Sequence, residues 1–336
     1  MRRNVVCFLR LIVLGVAVFV MAACHHIALH DPLTGVYLSI KTKVGPSVEL
    51  DEEVLELCPK RSKDLIAGSL PDVYYVMLYD VTTHELIATD FVDSEGGFID
   101  APNGTYDVLV YGLNAESVSI KNAEVRSQAR AETAYYGEML QFSKSGEEGE
   151  PDVHIQYPIM YEPEHVYVAM TENLRVFPQS DERGITVVRL EATTLCDSYT
   201  VQAINVQGAE RVSRVSCYVS GQIAYRYLWE RRYPDELCAI PIQVSLDVEN
   251  GTITGCFNSF GKHPQAFSSI FLNIAVVNDA GGLYQWIYDV TDQFNNPDNN
   301  DHHIVLSDPI IIPESEAGGF LPSVSEWNAD VIHVPL

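Results

Sequence analysis

Gly35-Val36-Tyr37-Leu38-Ser39-Ile40-Lys41-Thr42-Lys43 decides the fold class. Val36, Leu38, Ile40 and Thr42 alternate with Tyr37, Ser39, Lys41 and Lys43, the period of two that a half-buried strand requires. Tyr74, Val76 and Leu78 alternate in the same way with Tyr75, Met77 and Tyr79. Working outward, His84–Val92, Gly104–Tyr111 and Ser117–Ile120 read as strands. Gly96-Gly97 and Asn103-Gly104 lie between the runs and supply positive φ at little cost. Asp51–Ala67 reads as a loop with one short helical turn, since Pro59 interrupts anything longer.

Ser143–Pro163 breaks the alternation. It is rich in Gly, Ser and acid, with Pro158 and Pro163 around Ile159–Glu162, so the domain boundary is placed there. Strands resume at His165–Met170, Gly184–Thr193, Ser198–Val206, Arg211–Ser220, Ile240–Val248, Thr252–Phe257, Ser269–Val277 and Leu283–Val290. Glu249-Asn250-Gly251-Thr252 is a hairpin signal. Helical periodicity is nearly absent and no internal repeat stands out. The expectation is an all-β chain of two tandem antiparallel β-sandwich domains, residues 35–160 and 161–336.

The first residues set the compartment. Arg2 and Arg3 precede an apolar run from Leu11 to Val20, followed by Met21-Ala22-Ala23-Cys24. A basic start, a short apolar stretch and small residues before a cysteine describe a bacterial lipoprotein signal, residues 1–23. Cys24 is then the acylated N-terminus, and residues 24–34 form a lipidated stalk. The run is shorter than the roughly 20 residues that span a bilayer, and no stop-transfer charges follow. An acylated chain works outside the cytoplasm, away from ATP, which excludes phosphoryl transfer and nicotinamide chemistry.

The 336 residues carry a formal charge of −25. Losing Arg2, Arg3 and Arg10 and no acidic residue moves it by three, to −28. That charge argues against nucleic acid and anionic headgroups as partners, so membrane attachment falls to the acyl chains. Hydrophobic content of 47% is ample for packed cores.

Candidate sites are few. Without Cys7 and Cys24, five cysteines remain: Cys58, Cys196, Cys217, Cys238 and Cys256. Their spacing fits neither a zinc site nor a redox motif. They read as buried thiols, with one disulfide among Cys196, Cys217, Cys238 and Cys256 as the alternative. There is no G-x-S-x-G, H-E-x-x-H, Walker loop or G-x-G-x-x-G after a strand. No catalytic residue, cofactor or metal is therefore assigned, and the chain reads as non-enzymatic. Asp298, Asp301 and His302-His303 lie together in the polar run from Asp292 to His303, but a solvated loop is the ordinary reading. Tyr225, Tyr227, Trp229 and Tyr233, then Tyr284, Trp286 and Tyr288, could share sheet faces. Facing the core is the default; exposed, they would make a sugar-stacking or partner-gripping platform. Arg226, Arg231 and Arg232 form the compact basic group of an acidic chain.

Five segments carry a resemblance: Glu95–Gly112 (EGGFIDAPNGTYDVLVYG), Tyr161–Val168 (YEPEHVYV), Gly255–Gly261 (GCFNSFG), Tyr288–Gln293 and Gly318–Leu336 (GGFLPSVSEWNADVIHVPL). They are similar to Bacteroidota lipoproteins known as a domain of unknown function, related in plan to fimbrillin and Mfa-type pilus proteins. The resemblance implies transthyretin-like, Greek-key sandwiches, outer-membrane attachment, and accessory or anchor work in a fimbria-like assembly or adhesion. It also implies partner subunits that join by strand exchange, a terminal strand of one filling a groove in the next. In polymerising relatives an arginine-specific protease removes the N-terminal strand; Arg61 is the corresponding first arginine after Cys24 here. Asp330–Leu336 is the natural donor strand. His25-His26-Ile27-Ala28 follow Cys24 and the first acid is Asp31, which leaves surface or periplasmic orientation open. The rival function is a glycan- or nutrient-binding lipoprotein.

Overall fold

A computed structural model describes residues 35–44, 55–56, 58–68, 70–144, 153–176, 186–229, 232–264, 269–299 and 302–314. The strands are β1 Gly35–Lys43, β2 Val73–Asp80, β3 Leu86–Asp93, β4 Gly97–Asp100, β5 Gly104–Gly112, β6 Val118–Lys121 and β7 Arg130–Thr133. Then come β8 Tyr135–Lys144, β9 Val153–Met160, β10 Tyr167–Val176, β11 Thr186–Thr194, β12 Asp197–Ala203, β13 Val206–Gln207 and β14 Val212–Ile223. The last are β15 Tyr225–Tyr227, β16 Leu237–Asp247, β17 Thr252–Ser259, β18 Phe271–Asn278, β19 Leu283–Asp289, β20 His303–Leu306 and β21 Ile310–Ile311. Among the described residues, the helices α1 Lys60–Ala67 and α2 Thr291–Asn295 accompany them.

The first sheet runs β3-β2-β5-β10-β11-β1-β4. Its middle is a fold line, because β10 and β11 pair only at Tyr167–Thr194 and Val168–Thr193. The sheet doubles over there into two layers. Val36, Leu38 and Ile40 from one layer meet Tyr74, Val76, Leu78, Val108 and Val110 from the other in a single core. The alternation read from β1 is thus the inward face of a sandwich.

The second sheet runs β19-β18-β14-β16-β17-β12-β20. Here β16 changes layers: residues 237–242 pair with β14 and residues 243–247 with β17. A strand that switches sheets makes the corner of a sandwich. Its core joins Val219, Ile240, Leu272 and Ile274 to Val201, Ile253, Phe257 and Ile304. A third cluster ties the two units together. Met77, Tyr79 and Leu109 on the outer face of β2 and β5 pack on Ala129, Ala131 and Leu228, beside Ile223 and Phe260 of the second unit. The small sheet β15-β7-β6 lies over this contact.

All-β architecture with tandem sandwiches is therefore observed, with three corrections. The expected division at residues 160 and 161 is not where the sheets divide. β10 and β11 complete the first sandwich, while β8 and β9 pair with each other and, through Ile159–Ala239, with the second. The acidic Gly- and Ser-rich run read as a linker connects the two arms of that hairpin. Pro158 sits in β9 opposite Met139; Ala239–Ile159 is the one ladder contact of β9 with β16, so a missing N–H there costs little. Second, the sandwiches are not purely antiparallel: β1 pairs β11, β12 pairs β20 and β13 pairs β21 in parallel. Third, Pro59 starts a helix instead of limiting one. Its fixed φ suits the entry to α1, which then runs eight residues.

Gly96 turns the chain between β3 and β4 at φ +107°, and a Cβ there would lie 2.2 Å from the Leu38 carbonyl oxygen. Gly137, at φ +97°, has open space around the same position. Gly96→Ala and Gly137→Ala share the backbone strain, about 1–3 kcal/mol, but only the first collides with β1. Urea unfolding should place Gly96→Ala at least about 1 kcal/mol below Gly137→Ala; equal midpoints would refute the close approach.

Candidate functional site

The groove that holds β1 is the feature of this fold most suited to function. β1 lies between β11, parallel over Val36–Thr186 to Lys43–Thr193, and β4, antiparallel over Gly35–Asp100 to Leu38–Gly97. Val36 and Leu38 are each 1% exposed. Thr42 hydrogen-bonds the Tyr74 hydroxyl across the core. Removing β1 would part β11 from β4 and open an apolar slot lined with unpaired backbone groups. The Lys43–Glu191 ion pair on the outer face, 3.1 Å long, is exposed at both ends and contributes little.

Behind β1 the chain reaches α1, which is strapped to the second sandwich. Cys58, just before the helix, is disulfide-bonded to Cys256 on β17. Ser62 is buried and donates to the Gln243 carbonyl at 3.5 Å, while the Leu65 carbonyl accepts from Asn258 Nδ2 at 3.2 Å. Ile66 packs against the disulfide. A bridge across a sequence separation of 198 residues removes about 5 kcal/mol of unfolded-state freedom in the loop-closure account. This corrects the expected cysteine pairing. Cys196, Cys217 and Cys238 are buried free thiols, and burial pushes Cys217 and Cys238 up to about 12. Nearest neighbours in sequence were the wrong guide, because β17 returns beside α1. Arg61 lies exposed in the first turn of α1.

Where α1 meets both sandwiches there is a buried polar network that motif reading missed. His165 is fully buried; its Nδ1 is 2.7 Å from Thr194 Oγ1 and its Nε2 is 2.9 Å from Ser198 Oγ. Ser198 donates to Asn258 Oδ1 at 2.9 Å, and the Asn258 N–H donates to Glu162 Oε1 at 2.7 Å. Glu164 accepts from the Glu116 and Ser117 N–H groups. Burial holds His165 down at about 4, so it is neutral at pH 7. Burial pushes the Glu162 carboxyl upward, with Glu164 adding to the rise, while the Asn258 N–H and Arg61 oppose it. Serine beside histidine invites a catalytic reading, but both side chains are sealed from solvent and Ser198 is spent on Asn258. The network joins the units. Its signal in the sequence was the charged and polar set Glu162, Glu164, His165 and Asn258 inside two segments quoted only for resemblance.

The aromatic rows do not form an open platform. The Arg126 guanidinium stands 4.7 Å over Trp229, Arg130 4.2 Å over Tyr225 and Arg232 3.7 Å over Tyr227. Each contact contributes about 0.5–1 kcal/mol and covers a ring face a sugar would need. Trp286 and Tyr288 on β19 are half-buried against the second core. Arg226 donates to the Leu195 carbonyl and Arg232 to that of Ser127, so these arginines brace the small sheet. Tyr233 lies beside His263. His302 stacks on Tyr199 at 4.7 Å. Among the described residues no three His, Cys, Asp or Glu side chains converge as a metal site. Cys24, His25-His26, Arg231, Asp301 and the Asp330–Leu336 segment lie outside the described residues.

Two β-sandwiches, the first with its first described strand seated inside the sheet, define the fold class of this chain. Residues 64–239 match the model of a domain of unknown function, DUF5119, and the chain belongs to that family. No curated protein matches it in sequence. A candidate adhesin from Bacteroides ovatus ATCC 8483 shares the fold at TM-score 0.56 and 18% identity, covering 87% of this chain and 98% of that one. The fimbrial anchor protein Mfa2 from Porphyromonas gingivalis is more distant, at TM-score 0.48 and 10% identity over 81% of this chain and 90% of that one.

Linkage fixes the sign of the pH response of the network. His165 binds its proton less readily folded, at about 4, than unfolded, at about 6.5. Its contribution is whole above pH 6.5 and is lost as pH falls to 4. Glu162, raised, acts oppositely above its unfolded value. In His165→Gln the loss of stability between pH 6.5 and 4 should shrink by up to about 3 kcal/mol. Urea midpoints at pH 7, 5 and 4 measure it; an unchanged slope would show that His165 is not the group responsible.

Proposed function

We propose that this protein is a non-enzymatic outer-membrane lipoprotein, acylated at Cys24, that serves as an accessory or anchor subunit of a fimbria-like, adhesive assembly. The observation that carries the reading is β1: an N-terminal strand in mid-sheet, filling a slot that a strand from a neighbouring subunit could fill by the same ladder. The lipoprotein signal supports the anchor part, and the described fold of the Bacteroides ovatus candidate adhesin supports the adhesive part. Arg61, exposed in α1, is the position where an arginine-specific protease would cut behind β1. The glycan-binding alternative loses ground because guanidinium groups occupy the faces of Trp229, Tyr225 and Tyr227. Partners are then protein subunits and the membrane, through acyl chains.

In the native bacterium, an alkyne-palmitate label should mark the wild-type chain and leave Cys24→Ala unmarked and out of the outer membrane. Cross-linking and pull-down of the wild type should bring down a ladder of larger protein species. An unlabelled cytosolic chain, or glycan retention with no protein ladder, would sink the proposal.

A further inference from the structure

We infer that the Cys58–Cys256 disulfide is a retention lock: it keeps β1 in its own groove after any cut between Cys58 and β2, so this subunit cannot surrender that groove to another strand. The inference deepens the assembly reading by assigning the chain a terminating position, and it stands or falls apart from acylation.

The topology makes the case. Among the described residues, backbone joins β1 to the other strands only by way of residues 44–72. Severed there, β1 would be held by its two ladders and by Val36, Leu38 and Ile40. Yet Cys58 lies upstream of α1, and the exposed basic residues of the helix, Lys60 and Arg61, lie downstream. A cut at Arg61 therefore leaves β1 on a fragment that ends beyond Cys58, and that fragment is bonded to β17 of the second sandwich. α1 is also pinned on the far side, by Ser62 to Gln243 and by Leu65 to Asn258.

The tether is short enough to decide the competition. Fourteen residues separate Lys43 from Cys58. Fully extended, they let β1 move no more than about 50 Å from its anchor. One strand confined to a sphere of that radius is present at about 3 mM. A competing strand supplied at micromolar concentration is therefore outnumbered about a thousandfold, even when its intrinsic affinity is equal. Without the disulfide no covalent link would join the cut fragment to the sandwich, and the groove would be open to exchange.

Two chains test this, each with a site-specific protease sequence inserted, one after Gly68 and one after Val44. Both keep the disulfide, but only the first cut leaves β1 tethered to it. Each is cut, incubated in mild urea with a fluorescein-labelled peptide of sequence Gly35–Lys43, and followed by anisotropy; uncut chains report folding by circular dichroism. The chain cut after Val44 should take up the peptide at least about 100-fold more tightly than the chain cut after Gly68. Adding a phosphine reductant to the latter should bring its uptake toward that of the former. Equal uptake by the two cut, oxidised chains, whether strong or absent, overturns the lock.

Discussion

The seating of β1 between β11 and β4 is the constraint on which the rest depends. Val36 pairs with Thr186 on β11, and among the described residues nine strands lie between the two in sequence. Contacts so distant in sequence are slow to form and costly in loop entropy. The chain offsets that cost by burying β1 almost completely on its inner face and by closing the opposite edge with β4 at Gly96. Nothing about β1 alone would hold it; its stability is a property of the finished sandwich.

The same non-locality governs the junction. β10 and β11 leave the segment that follows the β8–β9 hairpin, return to the first sandwich, and hand the chain back to β12 through Leu195 and Cys196. At that hand-over His165, Ser198 and Asn258 form a closed chain of hydrogen bonds with Glu162. Such networks stiffen a contact only when every member is satisfied, and a buried imidazole is tolerable because it is neutral. The apolar cluster around Leu109, Ile223 and Phe260 supplies the area; the network supplies the orientation. The two sandwiches are thus joined through a third cluster that draws on strands of both, while each main core is filled by its own.

This explains what could be read from sequence. Period-two alternation marks β1 and β2 because every second side chain of each enters the core of the first sandwich, and local pattern carries that information. The domain boundary could not be read, because a Gly-, Ser- and acid-rich composition marks a break in the strand pattern and says nothing about which sandwich the flanking strands join. The disulfide was missed for a related reason: Cys58 lies far from the other cysteines in the chain, and only the return of β17 beside α1 brings Cys256 to it. Arginine stacking on Trp229, Tyr225 and Tyr227 was also beyond reach, since Arg126 and Arg130 lie on a different segment from the rings they cover. In each case what decides is a partner supplied by topology.

Surface charge points the same way. A chain at −25 repels copies of itself at a distance, with the field screened beyond about 8 Å at physiological salt. Any self-association would need short-range apolar and backbone contacts that outweigh the repulsion. Any open strand edge is sticky, so a β-sandwich must keep its edges covered. Keeping β1 fixed in its own slot removes the most adhesive edge of the first sandwich. The strap to β17 couples that seating to the integrity of the whole fold.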